Sequence, residues 1–134
     1  MNRLRTIENI TVWLLAICLN LTGQGLFAAN ENTVDHVKQI IAHRGASAER
    51  PECTLSAFTR SIEVGATAVE MDVRTTRDGK LYLLHDATLN RTTDGKGIAS
   101  DKTLAQLKQL DAGSWFNKEY QGERIPELRE ALQQ

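Results

Sequence analysis

Residues 39–134 predict an α/β fold, on three observations. Short apolar runs of strand length alternate with stretches whose apolar residues fall at helical spacing. One segment, residues 67–74 (TAVEMDVR), alternates with a strict period of two. Turn signals separate the pieces, so the order reads strand, helix, strand, strand, helix, helix.

The first strand is QIIA, residues 39–42, running into His43-Arg44-Gly45. Residues 54–64 form the first helix, with Leu55, Phe58 and Ile62 on one face. Thr54 is its N-cap and Gly65 its terminator. In the second strand, Val69, Met71 and Val73 take one face, and Glu70, Asp72 and Arg74 take the other.

Asp78-Gly79 marks a tight turn before the third strand, KLYLL, which ends at His85. A two-residue hairpin there sets Arg77 against Lys80 and Asp72 against His85. A parallel arrangement would need a longer crossover and would leave both residues near the same strand ends. The sequence leaves the choice open. Residues 86–97 are polar and turn-rich. Thr103 and Gln106 make a capping-box pair ahead of Leu104, Leu107 and Leu110, with Gly113 closing that helix. Pro126 opens a final helix that runs to Gln134.

The first 29 residues have a different character. Arg3 and Arg5 precede an apolar stretch from Ile10 to Leu21, and Gly23, Gly25, Ala28 and Ala29 follow. A basic start, a short apolar middle and small residues describe a secretory signal peptide. The apolar middle is shorter than the roughly 20 residues that span a bilayer. The competing reading is an uncleaved anchor reaching from Ile10 to Ala29, through which alone the chain would touch a membrane. The expected organisation is thus a leader over 1–29, a polar lead-in over 30–38 and a domain over 39–134. The protein is expected to be exported, to a periplasm or beyond.

Composition narrows the function. A formal net charge of −1, with basic residues scattered, gives nucleic acid no electrostatic footprint. Beyond the leader the only cysteine is Cys53, so neither an internal disulfide nor a cysteine zinc site can form. Cys53 reads as a small buried apolar residue.

The polar residues at strand ends carry the chemistry. His43 and His85 each close an apolar strand, where reactive groups gather in α/β folds. A facing histidine pair supplies one base and one acid near neutral pH. Singly, each is as well an ordinary loop histidine. Glu70 and Asp72 lie two apart on one strand face. Side by side they repel, and a hard divalent cation removes that cost. The bland alternative is a solvent-facing edge strand, or an ion pair with Arg74. Arg44 beside Gly45 suits a phosphate, since Gly lets a ligand approach the backbone; taken alone, an Arg-Gly pair is more commonly a plain surface arginine.

The ordered set His43-Arg44-Gly45, Pro51-Glu52-Cys53-Thr54-Leu55 with Ala57-Phe58, Glu70-x-Asp72-Val73, Thr76-x-Asp78-Gly79, His85-Asp86-x-Thr88-Leu89 and Arg91-Thr92-Thr93 resembles the glycerophosphodiester phosphodiesterase family. Leu110-Asp111-Ala112-Gly113 and Ile125-Pro126-x-Leu128 extend the resemblance over residues 40–132. It implies the N-terminal portion of a TIM barrel. It implies His43 and His85 as the acid/base pair, Glu70 and Asp72 as ligands of Ca²⁺ or Mg²⁺, and Arg44 on the phosphate. The implied reaction cleaves a small-molecule glycerophosphodiester to glycerol 3-phosphate and an alcohol. Other phosphodiesterases with the same barrel and paired histidines share fewer of these motifs.

Departures accompany the resemblance. Cys53 stands where the family usually has asparagine, and Glu127 where it usually has threonine. An eight-stranded barrel takes about 250 residues, against three strand candidates here. The family's third metal carboxylate is expected on a later strand than this chain contains. The alternative expectation is therefore a catalytically inactive fragment that binds metal or phosphate weakly at most, with unpaired strand edges and wet apolar surface.

The leader makes a direct prediction. N-terminal sequencing of exported protein should begin within a few residues of Asn30. Met1 intact on membrane-bound material would establish the anchor instead.

Overall fold

A parallel strand pair forms the first half of the fold. β1 (Ile41–His43) pairs with β2 (Ala68–Glu70), with Ile41 against Ala68, Ala42 against Val69 and His43 against Glu70. The computed structural model describes residues 37–134. The expected leader over 1–29 and most of the polar lead-in lie outside the described residues. Among the described residues no helix is long and apolar enough to cross a membrane.

Parallel neighbours need a crossover, and α1 (Leu55–Glu63) supplies it. Thr54 caps α1 as expected, its hydroxyl accepting from the Ala57 N–H at 3.3 Å. Gly65 follows the helix at φ +80°, the left-handed conformation in which helices end. Thr67 then locks the return. Its hydroxyl accepts from the Ile40 N–H at 2.8 Å and donates to the Ile40 carbonyl at 3.0 Å.

The period-two segment is not one strand. It breaks at Met71-Asp72 into β2 and β3 (Val73–Thr75), because its halves pair with different partners. β3 pairs antiparallel with β4 (Leu81–Leu83), as Val73 to Leu83, Arg74 to Tyr82 and Thr75 to Leu81. The turn is therefore a hairpin, but one residue longer than a two-residue loop. Thr76, not Arg77, faces Lys80, its N–H donating to the Lys80 carbonyl at 2.9 Å. Arg77, Asp78 and Gly79 form the loop, with Gly79 at φ +74°. The Thr76 hydroxyl fixes it by donating to Asp78 Oδ1 at 2.6 Å. This shift moves the register by one, so Leu84 rather than His85 bonds to Asp72. The Leu84 N–H donates to the Asp72 carbonyl at 3.1 Å.

β4 is the wall between two apolar clusters. Tyr82 and Leu84 pack on one side with Leu89, Ala99, Leu107, Ala112 and Ile125. Leu83 packs on the other with Cys53, Phe58 and Ala131. A strand buried on both faces needs a continuous apolar run, and the sequence YLL provides it. Phe58 of α1 is buried, but Ile62, expected on the same buried face, is 57% exposed. Ile40, just before β1, and Ile41 on it are exposed as well. A two-stranded sheet is too narrow to cover them.

The later elements are shorter than expected. The Thr103–Gln106 capping box is present, yet α2 (Leu104–Leu107) is a single turn. Gly113 does not end it. A Cβ there would lie 2.0 Å from the Tyr120 carbonyl oxygen, so glycine is required by close backbone approach. Pro126 precedes the last helix rather than opening it. Its carbonyl accepts from the Leu83 N–H at 3.0 Å, and α3 (Leu128–Ala131) starts two residues later. Two 3₁₀ turns, Ala99–Asp101 and Lys118–Tyr120, carry no periodic pattern that would announce them.

Candidate active site

Because β1 and β2 are parallel, their carboxyl ends meet at one edge. The register places His43 beside Glu70, with His43 Nε2 3.9 Å from Glu70 Oε2. Past β1 the chain turns through two left-handed residues, Arg44 at φ +59° and Gly45 at φ +86°. The turn rests on α1, since a Cβ on Gly45 would meet the Ala57 Cβ at 2.8 Å. Only glycine permits that approach.

The turn aims Arg44 back at the carboxylates. Its backbone N–H donates to Glu70 Oε2 at 3.1 Å. Its Nε lies 3.5 Å from Asp72 Oδ2, and its Nη1 donates to Glu52 Oε1 at 3.2 Å. Arg44 Nε is itself buried without a hydrogen bond, a donor still open at the site. Arg74 does not join this group, contrary to the ion-pair reading. It donates from Nε and Nη2 to the Leu84 and His85 carbonyls and pins the backbone at the end of β4.

Cys53 closes the loop, its N–H donating to the Arg44 carbonyl at 3.0 Å. It is buried, as expected, with Sγ 3.9 Å from Asp72 Oδ2. Burial, with the negative charges of Asp72 and Glu52, pushes its thiol up to about 12. A thiol raised so far stays protonated near neutral pH.

His85 belongs to a second group. Its Nδ1 is 2.7 Å from Asp86 Oδ1. Asp86 in turn accepts from Arg91, Nε to Oδ2 at 2.8 Å and Nη2 to Oδ1 at 2.9 Å. Arg91 reaches across to Glu52 as well, Nη1 to Oε2 at 2.9 Å and Nη2 to Oε1 at 2.7 Å. The Arg91 hydrogen bonds, then the His85 ring, hold the Asp86 carboxyl far below the usual carboxylate range. Arg91, followed by Arg44, lowers Glu52.

The structure thus brings His43, Arg44, Glu70 and Asp72 together and joins His85 to them through Asp86, Arg91 and Glu52. Those last three sat inside recognised motifs without an assigned role. The signal that could have found Asp86 is a carboxylate directly after a strand-end histidine. Glu52 and Arg91, 39 residues apart, meet only in the fold.

Glu70 and Asp72 offer the oxygen donors a hard divalent cation takes, so the residues fit such an ion in kind. Among the described residues, no group of three or more His, Cys, Asp and Glu forms a complete metal cage.

Residues 43–134 match the model of the glycerophosphoryl diester phosphodiesterase family. The chain belongs to this family. A glycerophosphodiester phosphodiesterase from Caldanaerobacter subterraneus is 49% identical over 94 residues, 70% of this chain and 39% of that protein. The chain spans about two fifths of the length of the curated relatives it matches first. Among solved structures, the glycerophosphodiester phosphodiesterase from Agrobacterium tumefaciens is similar at TM-score 0.70 and 40% identity. The match covers 72% of this chain and 42% of that one. An Oleispira antarctica phosphodiesterase in complex with the product sn-glycerol-3-phosphate is similar at TM-score 0.70 and 47% identity. That match covers 74% and 40%. The described residues are accordingly part of a TIM barrel.

The backbone at Cys53 gives the expected asparagine a physical reason. Cys53 has φ +57°, a region that asparagine tolerates and most residues do not. An asparagine amide could also donate to Asp72. Cys53→Asn should therefore raise stability by about 1 kcal/mol, whereas the β-branched Cys53→Val should lower it. Denaturant midpoints of the two variants check this. A less stable Asn variant would refute it.

Proposed function

We propose that this chain carries part of a divalent-cation-dependent active site that hydrolyses glycerophosphodiesters to glycerol 3-phosphate and an alcohol. The observation that carries the reading is the meeting of His43, Arg44, Glu70 and Asp72 at the carboxyl ends of β1 and β2. The product held by the Oleispira antarctica relative supports a small-molecule glycerol phosphate ligand. The leader-like pattern expected over residues 1–29 supports an exported protein.

Glu70 and Asp72 would hold Ca²⁺ or Mg²⁺, which when bound supplies positive charge beside a phosphoryl oxygen. Arg44 adds a guanidinium, the group best shaped for phosphate oxygens, from a loop fixed by Gly45 and Glu52. One histidine takes the proton of the attacking hydroxyl or water, and the other returns a proton to the leaving alkoxide. Both rings are accessible, His43 at 68% and His85 at 41% side-chain exposure.

A second reading rests on the two carboxylates that stand alone among the described residues. Under it the chain binds a cation or phosphate weakly and turns nothing over.

Hydrolysis of glycerophosphocholine with Ca²⁺ or Mg²⁺ separates the two. Under the enzymatic reading, His43→Ala and His85→Ala each lower turnover about 10²–10⁴-fold, and Arg44→Ala chiefly raises KM. Near-normal turnover in both histidine variants would remove the acid/base assignment. A silent parent chain would leave the second reading.

A further inference from the structure

Arg91 makes four hydrogen bonds to two carboxylates from different loops, Glu52 before α1 and Asp86 after β4. Its guanidinium also lies 6.0 Å from the centre of the Trp115 ring. A single exposed ion pair would do little for stability, but paired forks in a network fix geometry. Nothing in the proposed reaction uses Glu52, Asp86 or Arg91 directly.

The hydrogen-bond chemistry is one-directional. Both Asp86 oxygens accept from Arg91, so the group is an acceptor-only carboxylate. The 2.7 Å contact to His85 then requires that Nδ1 carry the proton. Neutral His85 is held as the Nδ1–H tautomer, with the Nε2 lone pair turned away from Asp86. Among the described residues, Asp86 is the one charged side chain bonded to the ring; Arg74 touches only the backbone carbonyl.

We propose that Asp86, Arg91 and Glu52 are positioning residues: Asp86 sets the His85 tautomer and ring angle, Arg91 clamps Asp86 to Glu52, and Glu52 ties both to Arg44. The relay keeps the hairpin histidine in register with the phosphate-side arginine, across two loops that share no strand pairing. It rests on the phosphodiesterase reading, in which His85 exchanges a proton through Nε2. A carboxylate orienting an imidazole by its second nitrogen is a general device of triads and metal-bound histidines.

Long-range ¹H–¹⁵N correlation spectra of the full chain, labelled at histidine, report the tautomer without any turnover. His85 should appear as Nδ1–H, and Asp86→Ala should shift it toward Nε2–H. Arg91→Ala should loosen the preference part-way, and Arg91→Lys should not restore it, since an ammonium cannot fork to two carboxylates. Where turnover is measurable, Asp86→Ala should lower kcat about 10–100-fold with little change in KM. Combined with His85→Ala it should add no further loss. If Asp86→Ala does not fold, Asp86→Leu, which offers no acceptor, takes its place, and Arg91→Ala reads the same shift part-way. An Nε2–H tautomer in the parent chain, or additive losses in the double variant, would overturn the relay. The expected tautomer in a chain without turnover would instead count against the phosphodiesterase reading and leave the relay standing.

Discussion

Parallel strands finish at the same edge, and that constraint decides where the reactive groups of this chain can gather. β1 ends at His43 and β2 at Glu70, and their register sets the two side by side. The crossover that parallel pairing demands is α1, and the Gly45 turn is packed against it. That turn directs the Arg44 N–H to Glu70 and its guanidinium toward Asp72 and Glu52. A slip of the β1–β2 register by one residue would remove His43 from Glu70 and reverse the strand's faces.

The hairpin is a second body of structure with its own constraint. β4 is buried on both faces, so its position is fixed by packing, and His85 emerges where that burial ends. No strand pairing connects β3–β4 to β1–β2 among the described residues. The link is made by the short break at Met71-Asp72, by apolar contact of Leu83 with Phe58 and Cys53, and by charge. Among the described residues, Glu52 has the smallest side-chain exposure of the ion-paired carboxylates, 12%, and it serves both Arg44 and Arg91. A carboxylate in that position is stabilised only because two guanidinium groups face it.

Much of this was legible in the sequence, for identifiable reasons. The strand before His43 and the Thr54 and Thr103 caps are set by neighbouring residues alone, so they could be read. What could not be read depends on partners. Period-two alternation in residues 67–74 states which faces alternate but not that the two halves pair with different strands. Asp78-Gly79 marks a turn, but the hydroxyl of Thr76 lengthens it by one residue. Pro126 has the composition of a helix start, yet its carbonyl is taken by Leu83 in an extended pairing. Gly113 resembles a helix stop and is instead a close-packing site against Tyr120. Glu52, Asp86 and Arg91 show their purpose only when distant loops meet.

The proposed cation and phosphate site, Glu70 and Asp72 with Arg44 beside the carboxyl ends of the parallel pair, is open to calorimetric titration. The full chain is titrated with Ca²⁺ and with Mg²⁺, beside the Glu70→Ala and Asp72→Ala variants. Such ions take about six or more oxygens, and two carboxylates supply few of them. Weak binding that each substitution abolishes is the expected result. Tight binding that survives both substitutions would place the cation elsewhere and contradict it.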